Sequence, residues 1–199
     1  MSSSLEPAVF PAVIDSCVLY HLELRLLLIH LDAAGLFRLH VSEKIVDDFI
    51  RNLAKKKCWN NEKALHLKSK ILAVVENGII DGSEIPLDNL QCNYNDRHVL
   101  ATAIRAKAEE IVTFNLQHFP PETTEPHGVR AVHPDRFVCN LYDLRTEVFI
   151  ACLQQMSINT ASPHLSVGKI VDRLERDLPE FHRIFMTDAK EVGWPAWDQ

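Results

Sequence analysis

The sequence predicts an α/β fold, a three-layer sandwich built on a mainly parallel sheet, with a helical extension at its C-terminal end. Short apolar, β-branched runs alternate with amphipathic stretches as far as residue 132, and the connections between runs are too long for hairpins. After Pro134 the pattern becomes wholly helical.

Each element follows from its residues. Val9-Phe10-Pro11-Ala12-Val13-Ile14 is a short strand ending at Asp15, and Val18 to Ala34 is a strongly apolar helix closed by Gly35. Phe37 to Val41 is a second strand. Ser42, followed by Glu43 and Lys44, opens a helix running to about Lys56. From Asn60 to about Asn77 the spacing of Ala64, Leu67, Ile71, Leu72 and Val75 is helical; Gly78 ends it ahead of a brief strand, Ile79-Ile80. A polar segment extends to Asn95. The helix Asp96 to Ala108 then feeds into Ile111-Val112-Thr113-Phe114, which has the composition of a buried parallel strand, and Val129 to Val132 supplies the last strand. Phe137 to Met156 reads as one or two helices, Thr160-Ala161-Ser162-Pro163 as a break, and Ser166 as the N-cap of a helix through Leu178. This divides the chain into a domain over 8–145 and a helical extension over 146–199.

Composition excludes several classes. With 199 residues, 47% hydrophobic and 24% charged, the chain can bury a sizeable core and is neither disordered nor fibrous. The first residues lack the basic start and apolar core of a signal peptide, and no apolar run reaches roughly 18 residues, so a cytoplasmic protein with no membrane partner is expected. Five scattered cysteines with no Cys-x-x-Cys pair read as reduced thiols rather than a zinc or redox site. The net charge of −6 does not favour nucleic acid in bulk. Arg51, Lys55, Lys56, Lys57, Lys63, Lys68 and Lys70 nevertheless cluster within twenty residues. They form either a local basic face for a phosphate backbone or an ordinary solvated helix face.

In open α/β sheets ligands collect beyond the carboxyl ends of the strands. Asp15 stands at such a tip, Asp96 heads a helix beside the sheet, and Thr113 to Asn115 ends the strand that follows. Taken singly, Asp15 and Asp96 are capping acids. Taken with an acid on the helix opened by Ser42, they form three carboxylates without a neutralising partner, and a divalent cation relieves their repulsion. Oxygen ligands without clustered Cys or His favour Mg²⁺ or Mn²⁺ over zinc. On the middle helix Asp47 and Asp48 lie on opposite flanks of the buried stripe, and periodicity leaves them tied. His118, His127 and His133 are irregularly spaced in a Pro-rich loop, a poor zinc framework. Arg51, Arg97 and Arg105 are candidate phosphate contacts, while Thr113 and Ser16 read as caps of local backbone. A dinucleotide fold would need a Gly-rich turn after the first strand, and an Asp-nucleophile phosphatase a second acid where Cys17 stands.

The motifs Val13-Ile-Asp-Ser-Cys-Val-Leu-Tyr, Ala-Gly-Leu-Phe and Val41-Ser-Glu-Lys-Ile-Val-Asp-Asp-Phe-Ile-Arg-Asn-Leu resemble the opening half of PIN-domain nucleases. Asp96-Arg-His-Val-Leu-Ala-Thr-Ala-Ile and Ile111-Val-Thr-Phe-Asn-Leu-Gln-His-Phe-Pro resemble the second half, and the likeness covers residues 10 to 135 in order. It implies a PIN-like fold and a metal-dependent endoribonuclease in which Asp15, Asp48 and Asp96 hold the metal, so the tie breaks toward Asp48. The family's fourth acidic position falls on Asn115, a further catalytic candidate, and the acid often found before Phe-Pro is His118 here. Both departures point away from a strong second metal site. The tail, with Pro-x-Leu-Ser and Leu-Pro-x-Phe, resembles an extension in a subset of VapC-like toxins. The resemblance thus implies an RNA substrate, a cognate antitoxin and, as for many small α/β domains, a homodimer. The alternative class is a catalytically inactive PIN-like module that binds RNA or protein.

Overall fold

A computed structural model describes residues 9–159 and 165–191. Four short strands, β1 (Pro11–Ile14), β2 (Arg38–His40), β3 (Glu110–Val112) and β4 (Arg130–Val132), form one sheet in the order β2-β1-β3-β4. Every pairing in it is parallel. Successive strand residues face opposite sides, yet Ala12, Val13 and Ile14 are all buried, as are Glu110, Ile111 and Val112. Both faces of the central strands are therefore covered, which makes the PIN-like α/β architecture three-layered. The buried Glu110 carboxylate is met by Arg130, with Nε at 2.9 Å and Nη2 at 2.7 Å.

The helices form where capping and amphipathic spacing coincide. In α3 (Glu43–Lys57) the Ser42 hydroxyl accepts from Ile45 N, and Ile45, Val46, Phe49 and Ile50 supply the buried stripe. Asn60 caps α4 (Asn61–Val74) through Lys63 N in the same way. The helix α5 (Arg97–Ala106) packs on the sheet; α3 lies against α5 and α4 against α3. The expected helix from Val18 to Ala34 is instead two pieces, α1 (Ser16–Leu19) and α2 (Leu22–Ala33). His21 between them is extended, and the buried Arg25 guanidinium donates to Leu19 O at the end of α1. Gly35 sits just past α2 in the left-handed region, φ 72°. Ile79-Ile80 does not form a strand of its own; Ile79 makes one parallel bridge to Val41. Gly78 permits that approach, since a Cβ there would lie 2.1 Å from Leu39 O. After β3 comes the short α6 (Pro121–Thr124), which leads toward β4.

The C-terminal chain folds as α7 (Pro134–Leu144), α8 (Thr146–Asn159), α9 (Val167–Leu174) and α10 (Pro179–Glu191). The expected break at Thr160 to Pro163 lies outside the described residues. The helix expected to run through Leu178 stops at Leu174, because Pro179 disfavours helical backbone at Leu178 and opens a new helix instead. Its first amides are held by Asp135 of α7: Glu180 N and Phe181 N each donate to the carboxylate at 2.9 Å. Tyr142, Phe149 and Phe181 form an aromatic knot with ring centroids 5.2–5.7 Å apart. The extension packs on α2 and α7, and its buried side chains are continuous with those around the sheet.

Candidate active site

The ladder continues one residue past the strands, with Asp15 N donating to Val112 O at 3.1 Å and Thr113 N to Val132 O at 3.0 Å. This places Asp15 and Thr113 side by side beyond the carboxyl edge of the sheet. Asp15 is 2% exposed, and its carboxylate does not cap α1. It accepts instead from Thr113 Oγ1 at 2.7 Å, Cys17 Sγ at 3.1 Å and Ser16 Oγ at 3.2 Å. Thr113 also accepts from Asn115 N at 3.0 Å. The capping role expected of Thr113 is therefore only half of what it does: it also ties the backbone of Asn115 to the carboxylate of Asp15. Burial and the Asp15 charge push the Cys17 thiol up to about 12.

Asp96 precedes α5 and likewise makes no side-chain cap. Its Oδ2 lies 2.7 Å from His118 Nδ1. Burial, and next the negative charge of Asp15, hold the Asp96 carboxyl above the usual range, with His118 only partly offsetting them. The two acids thus repel across the sheet edge.

Asp48, 9% exposed, is placed differently. Its Oδ1 accepts from Arg51 Nη2 at 2.7 Å and Lys44 Nζ at 3.1 Å. Oδ2 lies 3.3 Å from His98 Nε2, off hydrogen-bond alignment, so that buried nitrogen has no hydrogen-bond partner. Asp47 points to the other flank and pairs with Lys68 of α4 at 2.6 Å. Burial pulls His98 below its ordinary value while Asp48, Asp96 and Asp15 each pull it up. His98 therefore faces Asp48 and lies in the field of all three acids. Sequence reasoning passed over it, since a lone histidine in a first helical turn carries no spacing signal.

The other candidates have partners. Arg97 Nη1 is 3.6 Å from Asp88 with its guanidinium over the Tyr94 ring, Arg105 Nε is 3.3 Å from Glu84, and Arg51 is committed to Asp48. His118 faces Asp96, and His133 accepts from Asp135 N at the start of α7. In the basic cluster Lys56 covers Tyr20, Lys63 covers Trp59 and Lys68 pairs with Asp47, while Lys55 and Lys57 are exposed. No three Asp, Glu, His or Cys side chains among the described residues stand close enough together to enclose a metal ion. The chemistry of the Asp15–Asp96 pair nonetheless suits a hard cation, because a buried and a half-buried carboxylate in mutual repulsion are what such an ion neutralises. No described helix is long and apolar enough to cross a membrane.

Residues 134–184 match the family model described as VapC50 C-terminal domain. A curated relative from Mycobacterium tuberculosis (strain ATCC 25618 / H37Rv), named "Putative ribonuclease VapC50", is 39% identical over 89 residues, 45% of this chain and 53% of the relative. Both matches support a VapC-like PIN family with a C-terminal extension. The chain spans about half the length of the curated relative it matches. No solved structure matches it. The matched stretch opens at α7, ahead of residue 146, and runs into α10. This extension approaches the site only through intermediaries. Asp177, between α9 and α10, holds His21 Nδ1 at 2.6 Å, and the His21 ring lies 4.9 Å from that of Phe114, the residue between Thr113 and Asn115.

Proposed function

We propose that the chain is a metal-dependent endoribonuclease that hydrolyses RNA phosphodiester bonds, acting as the toxin of a bacterial type II toxin–antitoxin pair. The observation that carries the reading is the Asp15–Asp96 pair, two carboxylates in mutual repulsion beyond the carboxyl edge of a parallel sheet. The ribonuclease in the relative's name supports it, as does the match to the VapC50 C-terminal domain. A cognate antitoxin, a homodimer and a cytoplasmic location belong to the same proposal.

Asp15 and Asp96 would hold Mg²⁺ or Mn²⁺, with Asp48 as the third ligand once it is released from Lys44 and Arg51; the bound ion would supply an activated water and charge stabilisation at the phosphate. The protein's own groups prepare that site. Thr113 and Ser16 orient the Asp15 carboxylate, and His118 orients that of Asp96. Lys44 and Arg51 neutralise Asp48 from exposed positions on α3, where a phosphate can draw either away. Asn115, whose backbone nitrogen donates to Thr113, would orient a water without adding charge. The test is cleavage of RNA by the purified full chain in Mn²⁺ and in EDTA. Metal-dependent cleavage supports the reading; cleavage that persists in EDTA removes the metal from it. RNA binding without cleavage under either condition makes the chain the inactive PIN-like module.

A further inference from the structure

The first turn of α3, the loop 79–87 and α5 enclose a cleft of about 650 Å³. That volume lies within the range of small-molecule sites. Its walls are mainly apolar, formed by Ile79, Ile80, Leu87 and Ala101. The loop is pressed against α5, since a Cβ on Gly82 would lie 3.1 Å from Thr102 N. Lys44 and His98 belong both to this cleft and to the surroundings of Asp48, which one touches at Oδ1 and the other faces at Oδ2. The cleft therefore shares a wall with Asp48.

The lining selects its occupant. Glu43 and Asp81 carry negative charge against the single ammonium of Lys44, so the interior does not favour a phosphate. The apolar walls favour a neutral group, and the wall shared with Asp48 requires that group to be joined to whatever lies before that acid. A base attached to a phosphodiester meets both conditions. A base stacked in a duplex does not, because it cannot leave the helix without unpairing.

We propose that this cleft binds one unpaired nucleobase of a single-stranded or looped RNA, next to the phosphate presented to Asp15, Asp48 and Asp96. The placement of that phosphate rests on the nuclease reading; occupancy by a base does not. Lys44, exposed at the rim, meets the phosphate that joins the seated base to its neighbour.

The test is ligand-observed NMR of the metal-free full chain with adenosine, guanosine, cytidine and uridine, and with ribose 5-phosphate and N-acetyl-leucine amide as comparators. At least one nucleoside binds, and the comparators do not. Ala101→Leu, which narrows the floor, weakens that binding by about fivefold or more, as loss of a base contact should. Because Ala101 is buried, Leu87→Ala at the 42% exposed mouth is the second variant, with the same direction expected. No nucleoside binding, equal binding of ribose 5-phosphate, preference for the leucine amide, or unchanged binding in both folded variants overturns the proposal. A chain that binds nucleosides but never cuts RNA keeps this cleft and loses the nuclease reading, and one that cuts RNA but binds no nucleoside does the reverse.

Discussion

Replacing Asp135 by alanine removes the group that fastens α10 to the rest of the protein. The carboxylate is 8% exposed and accepts two backbone amides, Glu180 N and Phe181 N, at 2.9 Å each. A hydrogen bond to a charged acceptor is worth about 1.5–3 kcal/mol, and the positive end of a 13-residue helix adds to the attraction. The loss of both bonds should cost about 4 kcal/mol. For a chain of this size that lowers Tm by about 8–16 °C. Asp135→Asn retains one acceptor oxygen and should lose about half as much. Urea denaturation reads the difference as a lower midpoint at unchanged m-value. Cleavage below the melting transition should also fall, because Asp177, two residues before α10, holds His21 against Phe114. A loss under about 1 kcal/mol in the alanine variant would refute this account of how the extension is anchored.

Three further outcomes test the site. Asp96→Asn should reduce RNA cleavage by about two orders of magnitude or more, as removal of a charge from the transition-state site does, without unfolding the protein. Because burial and Asp15 raise the Asp96 carboxyl, the stability linked to its neutral form is complete below the ordinary 3.8 and is lost as pH rises through the raised value. The variant should therefore equal the wild type in acid and exceed it above that window; a variant less stable at pH 7 than at pH 3 relative to wild type contradicts the assigned repulsion. Asp48→Asn should cost far more activity than Asp47→Asn, whose partner is Lys68 on the outer flank, and the reverse ranking in single-turnover assays would unseat Asp48. Neutralising Lys55 and Lys57 together should weaken RNA binding and flatten its salt dependence, read as the slope of log K against log salt; an unchanged slope returns them to a solvated face.

The strands and α3 were legible because both rest on local pattern. β-branched runs ending in Asp15 and Thr113, and Ser42 ahead of an amphipathic stretch, are short-range signals that long-range packing did not override. The break at Tyr20–His21 was hidden because the apolar spacing runs on through it, and the groups that stabilise it, Arg25 and Asp177, act through tertiary contacts. The start of α10 was marked by Leu178-Pro179, but the acceptor that completes the signal, Asp135, is 45 residues away. The three aspartates proposed for the site could be named from the sequence, but not their neighbours. That His98 faces Asp48, and that Thr113 grips Asp15 across 98 residues of chain, depends on register and helix rotation rather than on spacing.

The strand order carries a consequence for synthesis. β1 lies at the centre of the sheet, yet its inner neighbour β3 is made nearly a hundred residues later, and the side of α2 covered by α8 and α9 waits for the last helices. A chain emerging from a ribosome therefore exposes α2's apolar flank until translation is almost finished, a state prone to aggregation. Asp15 acquires Thr113 in the second half of the chain, and His21 acquires Asp177 only near the end. Asp15 is thus brought into order late, and a message truncated before α9 would yield a sticky fragment in which His21 lacks the Asp177 carboxylate.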